Sequence, residues 1–256
     1  MDWSRAKSVL IISFLVLNIV LGYQLWTDLR DRLDTGGELS QQTLELMQQK
    51  DILLLGNVPD KAPELSNLEY RFTTTPGEPE RVELETPVES RIIFSEDELR
   101  DGLGDIIPEL DHYAYDPEIS TTDVFVLYWM ADGLPMFDVE LRLYIQDQQI
   151  IAYSQDRVEQ VQPDGAMPQQ VLSASEALQL LIENTLQPGT VIQEIRLGYH
   201  GQMFDSEDQY SAPSWRVLLQ DEPLPYYVHG VSAEVSTETE PTSGDTEQDP
   251  MGEGRQ

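Results

Sequence analysis

The chain has 256 residues, with 47 Asp and Glu against 15 Lys and Arg and a formal net charge of -32. A field of that sign repels phosphate backbones and anionic lipid surfaces, which excludes nucleic acid as a partner. There is no cysteine, so disulfides, thiolate metal sites and thiol catalysis are all ruled out.

From Ser8 to Thr27 no residue carries a charge. Twenty helical residues rise about 30 Å, the thickness of a bilayer's hydrocarbon core. Bulky Leu25 and Trp26 stand where a signal peptidase needs small residues, so 8–27 reads as an uncleaved transmembrane helix. Arg5 and Lys7 precede the span, which places residues 1–7 in the cytosol and the rest outside. Within the span Asn18 is a polar amide near the bilayer centre, and Gly22 lies one turn further along the same face. With Phe14 and Leu25 these make a face on which another helix can pack. The other reading is that Asn18 is satisfied by its own backbone.

Residues 28–38 read as a juxtamembrane linker, with Gly36-Gly37 as a hinge. Ser40 predicts a cap for a helix over 41–50 whose Leu44, Met47 and Leu46 face inward. Ile52–Leu55 reads as a short buried strand, Leu68–Thr74 as a strand, and 81–94 as an extended stretch interrupted at Pro87. Ser95-Glu-Asp-Glu98 predicts a capping box for a helix carrying Leu99, Leu103, Ile106 and Ile107, which Pro108 ends. Asp111–Thr121 reads as loop and Asp123–Met130 as a buried strand.

The clearest pattern follows. Phe137, Val139, Leu141, Leu143 and Ile145 alternate with polar residues, which predicts a strand with one face buried. Asp147-Gln-Gln149 turns the chain, and 150–161 returns as its partner. Ser173-Ala-Ser-Glu176 predicts a second capping box, with Ala177, Leu178, Leu181 and Ile182 lining the helix. Further strands are expected at 191–199, with Val191, Ile195, Leu197 and Tyr199 on one face, and at 214–220 and 226–235. The order strand, strand, capped helix, strand occurs twice. It predicts an α+β ectodomain of two similar lobes, 39–132 and 133–231, each a curved antiparallel sheet packed on a helix. Residues 232–256, rich in Thr, Ser, Glu and Gly, read as a disordered acidic tail.

Chemistry-bearing motifs are sparse. His112, His200 and His229 are isolated in sequence and form no HExxH or H-x-x-H pattern. Asp205-Ser-Glu-Asp208 lacks the spacing and glycine of a calcium loop. No nucleophile elbow, phosphate loop or dinucleotide fingerprint occurs, so no catalytic, metal or cofactor-binding residue is assigned and a non-enzymatic protein is expected.

Met1-Asp-Trp-Ser-Arg-Ala-Lys7, continuing through Phe14-Leu-Val-Leu-Asn18, resembles the N-terminus of the YycI (WalI) family. The layout of 137–235 also looks like the lobes of the companion protein YycH and of PepSY-type modules. The resemblance implies a single-pass accessory protein of the YycFG (WalRK) two-component system of low-GC Gram-positive bacteria. Its partners would be the sensor histidine kinase YycG (WalK), YycH and the lipid bilayer, and its output the control of cell-wall metabolism. The face of Phe14, Asn18, Gly22 and Leu25 is where helix contact with the kinase is expected, on helical spacing alone. The alternative is an extracytoplasmic module that binds a peptide or wall fragment, with a passive anchor.

Overall fold

A computed structural model of the protein describes residues 39–237 except 61, 78 and 205, together with Phe14. The expected cytosolic segment, linker and transmembrane helix therefore lie outside the described residues, Phe14 apart, as does the tail beyond residue 237. Among the described residues no helix is long and apolar enough to cross a membrane.

Ser40 caps α1 (Gln41–Gln49), its hydroxyl accepting from the Thr43 N–H. Met47 and Thr43 are buried and Leu44 is exposed, contrary to the apolar face expected. Thr43 wins the inner position because its hydroxyl bonds Ser175 on a neighbouring helix, an anchor that leucine lacks. Next come the short strands β1 (Leu53–Leu54) and β2 (Glu64–Leu65), then β3 (Leu68–Phe72) and β4 (Arg81–Glu89). A 3-10 turn over Ser90–Phe94 leads to α2 (Glu96–Leu103). Ser95 caps α2 through the Glu98 N–H, without the reciprocal Glu98 bond of a full box. This helix stops before Gly104, earlier than expected, and leaves Ile106 exposed while Ile107 is fully buried.

The segment expected as loop over 111–121 contains β5 (Tyr113–Asp116), which pairs with β6 (Val124–Ala131). The alternating strand is β7 (Leu134–Gln146). Its expected single return is two strands, β8 (Gln149–Gln155) and β9 (Val158–Pro163), which part company to pair with β7 and β3 respectively. β10 (Gln169–Gln170) pairs only with β2. Then α3 (Ala174–Asn184) carries the complete capping box of Ser173 and Glu176. The chain closes with β11 (Val191–His200), β12 (Asp208–Leu219), β13 (Tyr226–His229) and β14 (Val235–Thr237). A bulge between Ile192 and Glu194 shifts the phase of β11, so Ile192 rather than Val191 joins the buried row. β14 corrects the tail: its first residues are ordered because β13 offers an open edge and Val235 packs on the core.

The architecture is α+β and rich in sheet. One sheet runs in the order β14-β13-β12-β11-β7-β6-β5, with β8, β4, β3, β9 and β1 joined to its sides. Among the described residues two large hydrophobic cores sit on it, with a small third cluster of Val126, Tyr128, Phe137 and Tyr227. α2 packs with β3, β6 and β7 around Leu103, Ile107, Leu127, Leu141 and Leu143. α1 and α3 pack on β11 and β12 around Leu178, Leu181, Ile182, Ile195, Trp215 and Val217. α1, expected in the N-terminal lobe, packs instead in the second core beside α3. The division expected at 132/133 falls inside the tight turn of the β6–β7 hairpin, and β3 pairs across it with β12. Three strands separate β5 from β12 in the sheet order, yet Asp116 on β5 reaches Arg216 on β12 at 2.7 Å. The sheet must therefore coil strongly on itself.

Candidate functional site

The coiling opens a cleft of about 870 Å3 against β7. Its walls are the β3–β4 loop at Pro76, Gly77 and Pro79, the ends of β8 and β11, and Ser236 and Thr237 of β14. Strand alternation delivers Asp138, Glu140, Arg142 and Tyr144 to it. Phe137 arrives by a different route. Trp129 pairs with Met136 while Tyr128 pairs with Glu140, so Phe137, Asp138 and Val139 form a bulge opposite no partner. The bulge flips the phase of the strand. Met136 takes the place expected for Phe137 in the first core, and Phe137 turns to Tyr128 and Tyr227 and lines the cleft. Gly198 makes room for its ring, since a Cβ there would lie 2.5 Å from Phe137 Cε2.

Asp138 is the hub at one end of the cleft. Its carboxylate accepts from the Gly201 N–H at 2.8 Å and from Ser211 Oγ at 2.9 Å, and Oδ1 lies 2.6 Å from His200 Nδ1. A Cβ on Gly201 would sit 2.0 Å from the Tyr210 carbonyl oxygen, so only glycine brings that N–H close enough. Because a carboxylate accepts only, Ser211 donates to Asp138, and its hydroxyl also lies 3.2 Å from the Tyr70 hydroxyl oxygen. Burial, then the Asp138 charge, raises the Tyr70 pKa and keeps that hydroxyl protonated. The same carboxylate holds the His200 ring in place, and the ring stacks on Tyr227 at 3.6 Å. Ser, Asp and His thus meet, but the serine bonds the carboxylate rather than the imidazole. That is not the connectivity of a nucleophilic relay.

Asp156 holds the other end. It leaves β8 as an extension of the ladder, with its N–H donating to the Glu140 carbonyl and its Oδ2 accepting from the Glu140 N–H at 3.3 Å. The residue is 4% exposed, and its Oδ1 has no hydrogen-bond partner. Burial pushes its pKa up to about 6, against partial relief from backbone N–H groups and Arg142. Arg142 itself is committed to Glu140, with Nε and Nη2 each 2.7 Å from Oε2.

Behind Phe137 lies a buried ion network. Arg216, fully buried, bonds Asp116 at 2.7 Å and Glu194 at 2.6 Å, and Arg196 adds a second contact to Asp116 at 3.0 Å. Burial opposes the Arg216 charge, but Tyr128, Asp116 and Glu194 outweigh it and raise the pKa. Its Nε and Nη1 find no acceptor, and the guanidinium instead covers the Phe137 ring at 4.7 Å and faces Tyr128 at 5.5 Å.

Of the expected site residues, Asn18, Gly22 and Leu25 lie outside the described residues, and Phe14 is helical and exposed. The histidines, isolated in sequence, have separate environments. His200 joins the Asp138 hub, His112 stacks on Trp129, and His229 Nδ1 accepts from the Val231 and Ser232 N–H groups. Asp208 is occupied by Arg71 at 2.6 Å. Among the described residues no three His, Asp or Glu gather as a metal would need. Sequence reading passed over Asp138, Asp156 and His200 as a group. The polar phase of β7 signalled Asp138, but nothing local marked Asp156 as buried.

Fold and site together define a sheet-rich α+β protein with a polar, acid-lined cleft, in which Ser, Asp and His are joined without forming a relay. Residues 37–228 match the model of the YycI protein family, and the chain belongs to that family. None of the curated proteins matches the chain. Among solved structures, an uncharacterized protein from Eubacterium rectale is similar over 51% of this chain at 15% identity, with a TM-score of 0.33. This chain spans 45% of that protein.

Proposed function

We propose that this chain is a single-pass, non-enzymatic regulator of the sensor histidine kinase YycG that acts together with YycH. Its N-terminus would be cytosolic, its folded part outside the cell, and the face of Phe14, Asn18, Gly22 and Leu25 its contact with the kinase. The observation that carries this reading is the YycI family match over 37–228. The uncharged run of 8–27 supports it, because helix packing is a route open to a regulator without catalytic groups. Such a protein must bind two states of its partner unequally, or it shifts nothing.

The test is co-purification from membranes. The full chain should bring down YycG, and removal of residues 1–30 should abolish this. Asn18→Leu should weaken both the capture and the control of kinase output. An unrelated apolar span that restores full control would overturn the assignment of the contact face. The second reading, an extracytoplasmic ligand-binding module, is favoured by the cleft and its unpartnered Asp156 oxygen.

A further inference from the structure

We propose that the cleft against β7 is a binding site for a primary alkylammonium group, held by the Asp156 carboxylate. This goes beyond the regulatory reading and stands independently of it. Three observations combine. The charged residues lining the cleft are three carboxylates, Asp138, Glu140 and Asp156, against one guanidinium, Arg142. That guanidinium is paired with Glu140, and every oxygen of Asp138 is taken by Gly201, Ser211 or His200. Asp156, buried in the cleft wall, has one carboxylate oxygen with no hydrogen-bond donor among the described residues. What that oxygen lacks is a donor, which an ammonium N–H supplies.

One unpartnered carboxylate oxygen suits an ammonium better than a divalent metal, which seeks six or more oxygens. No grouping of His, Asp and Glu among the described residues meets that need. The Phe137 ring and the β3–β4 loop supply the flank against which the alkyl part packs. The acidic excess of the whole chain draws cations toward the opening.

The groups facing Asp156 are Glu140 and Arg142 from β7, Tyr113 from β5, Tyr70 from β3, and Arg157 beside it. Both tyrosines are pushed up by burial and stay neutral. Binding should therefore follow ionisation of Asp156.

The test uses the full chain in detergent micelles, with n-butylammonium as probe and n-butanol as its neutral counterpart, measured by calorimetric titration. Saturable binding of n-butylammonium is expected at pH 7.5, about tenfold weaker at pH 5, where roughly a tenth of a carboxylate with pKa about 6 is ionised. n-Butanol should not bind. Asp156→Asn should abolish binding, and His200→Gln should keep its pH dependence. Met203→Arg, at a half-exposed position of the cleft wall, should abolish binding without touching the core. Further arms with a lysyl dipeptide and with spermidine separate a polypeptide amine from a free polyamine. No saturable binding, equal binding of n-butanol, or binding that survives both Asp156→Asn and Met203→Arg would overturn the proposal, and would leave the kinase-capture result untouched.

Discussion

Asp156 is held at a cost. Its folded pKa of about 6 lies above the ordinary 3.8, so between those values the folded state keeps a proton that the unfolded state has released. This residue's contribution therefore falls as pH rises from about 4 to about 6, and the penalty is complete above that. At about 1.4 kcal/mol per pH unit the penalty amounts to about 3 kcal/mol at neutral pH. Asp156→Asn should raise the stability of the protein at pH 7 by about 2–3 kcal/mol and flatten that part of its pH profile, as read from urea midpoints at pH 4 through 8. Equal stability of the two proteins across the range would show that the carboxylate is solvated. The Arg216 network makes the opposite case. Removing Asp116 from beside a fully buried guanidinium strands a charge, and Asp116→Asn should destabilise the protein by about 3 kcal/mol or more.

Between elements, local signals and long-range pairing part ways. The capped helices and the β7–β8 hairpin were legible because their determinants lie within a few residues: Ser173 with Glu176, Ser95 with Glu98, and the turn at Asp147. That turn carries an imperfection. Gln148 stands at φ 61°, a left-handed conformation that costs a side-chain-bearing residue about 1 kcal/mol. Gln148→Gly should stabilise the protein by about 0.5–1 kcal/mol, visible as a rise in melting temperature. What stayed hidden was set by distant partners. Phe137 fits the apolar phase of β7, and only its pairing with β6 reveals the bulge that turns it to the cleft. Asp138 and His200 are separated by 62 residues and meet because β11 runs parallel to β7 at Met136 and Tyr199. Lys50 gave no sequence cue either, yet its Nζ caps the end of α3 at the carbonyls of Ile182 and Leu186.

At the scale of the molecule, the α+β composition was foreseen, while the fusion of the expected lobes into one sheet was not. A repeat of strand, strand, helix, strand suggests a seam between copies, but the pairing of β3 with β12 and the continuous β6–β7 hairpin cross it. Unfolding of the described region in urea should therefore show one transition by tryptophan fluorescence and by far-ultraviolet circular dichroism. Two separated transitions would mean that the cores are energetically independent.

The stitching of α1 to α3 has a mechanical side. Ser40, Thr43 and Lys50 fasten α1 to Ser175 and to the end of α3, at both extremities of α1. A pull arriving from the preceding chain meets those bonds first and passes into α3 and the β11–β12 layer. The end of β11 is also a wall of the cleft, so tension on the N-terminal side can be felt at the acidic groove.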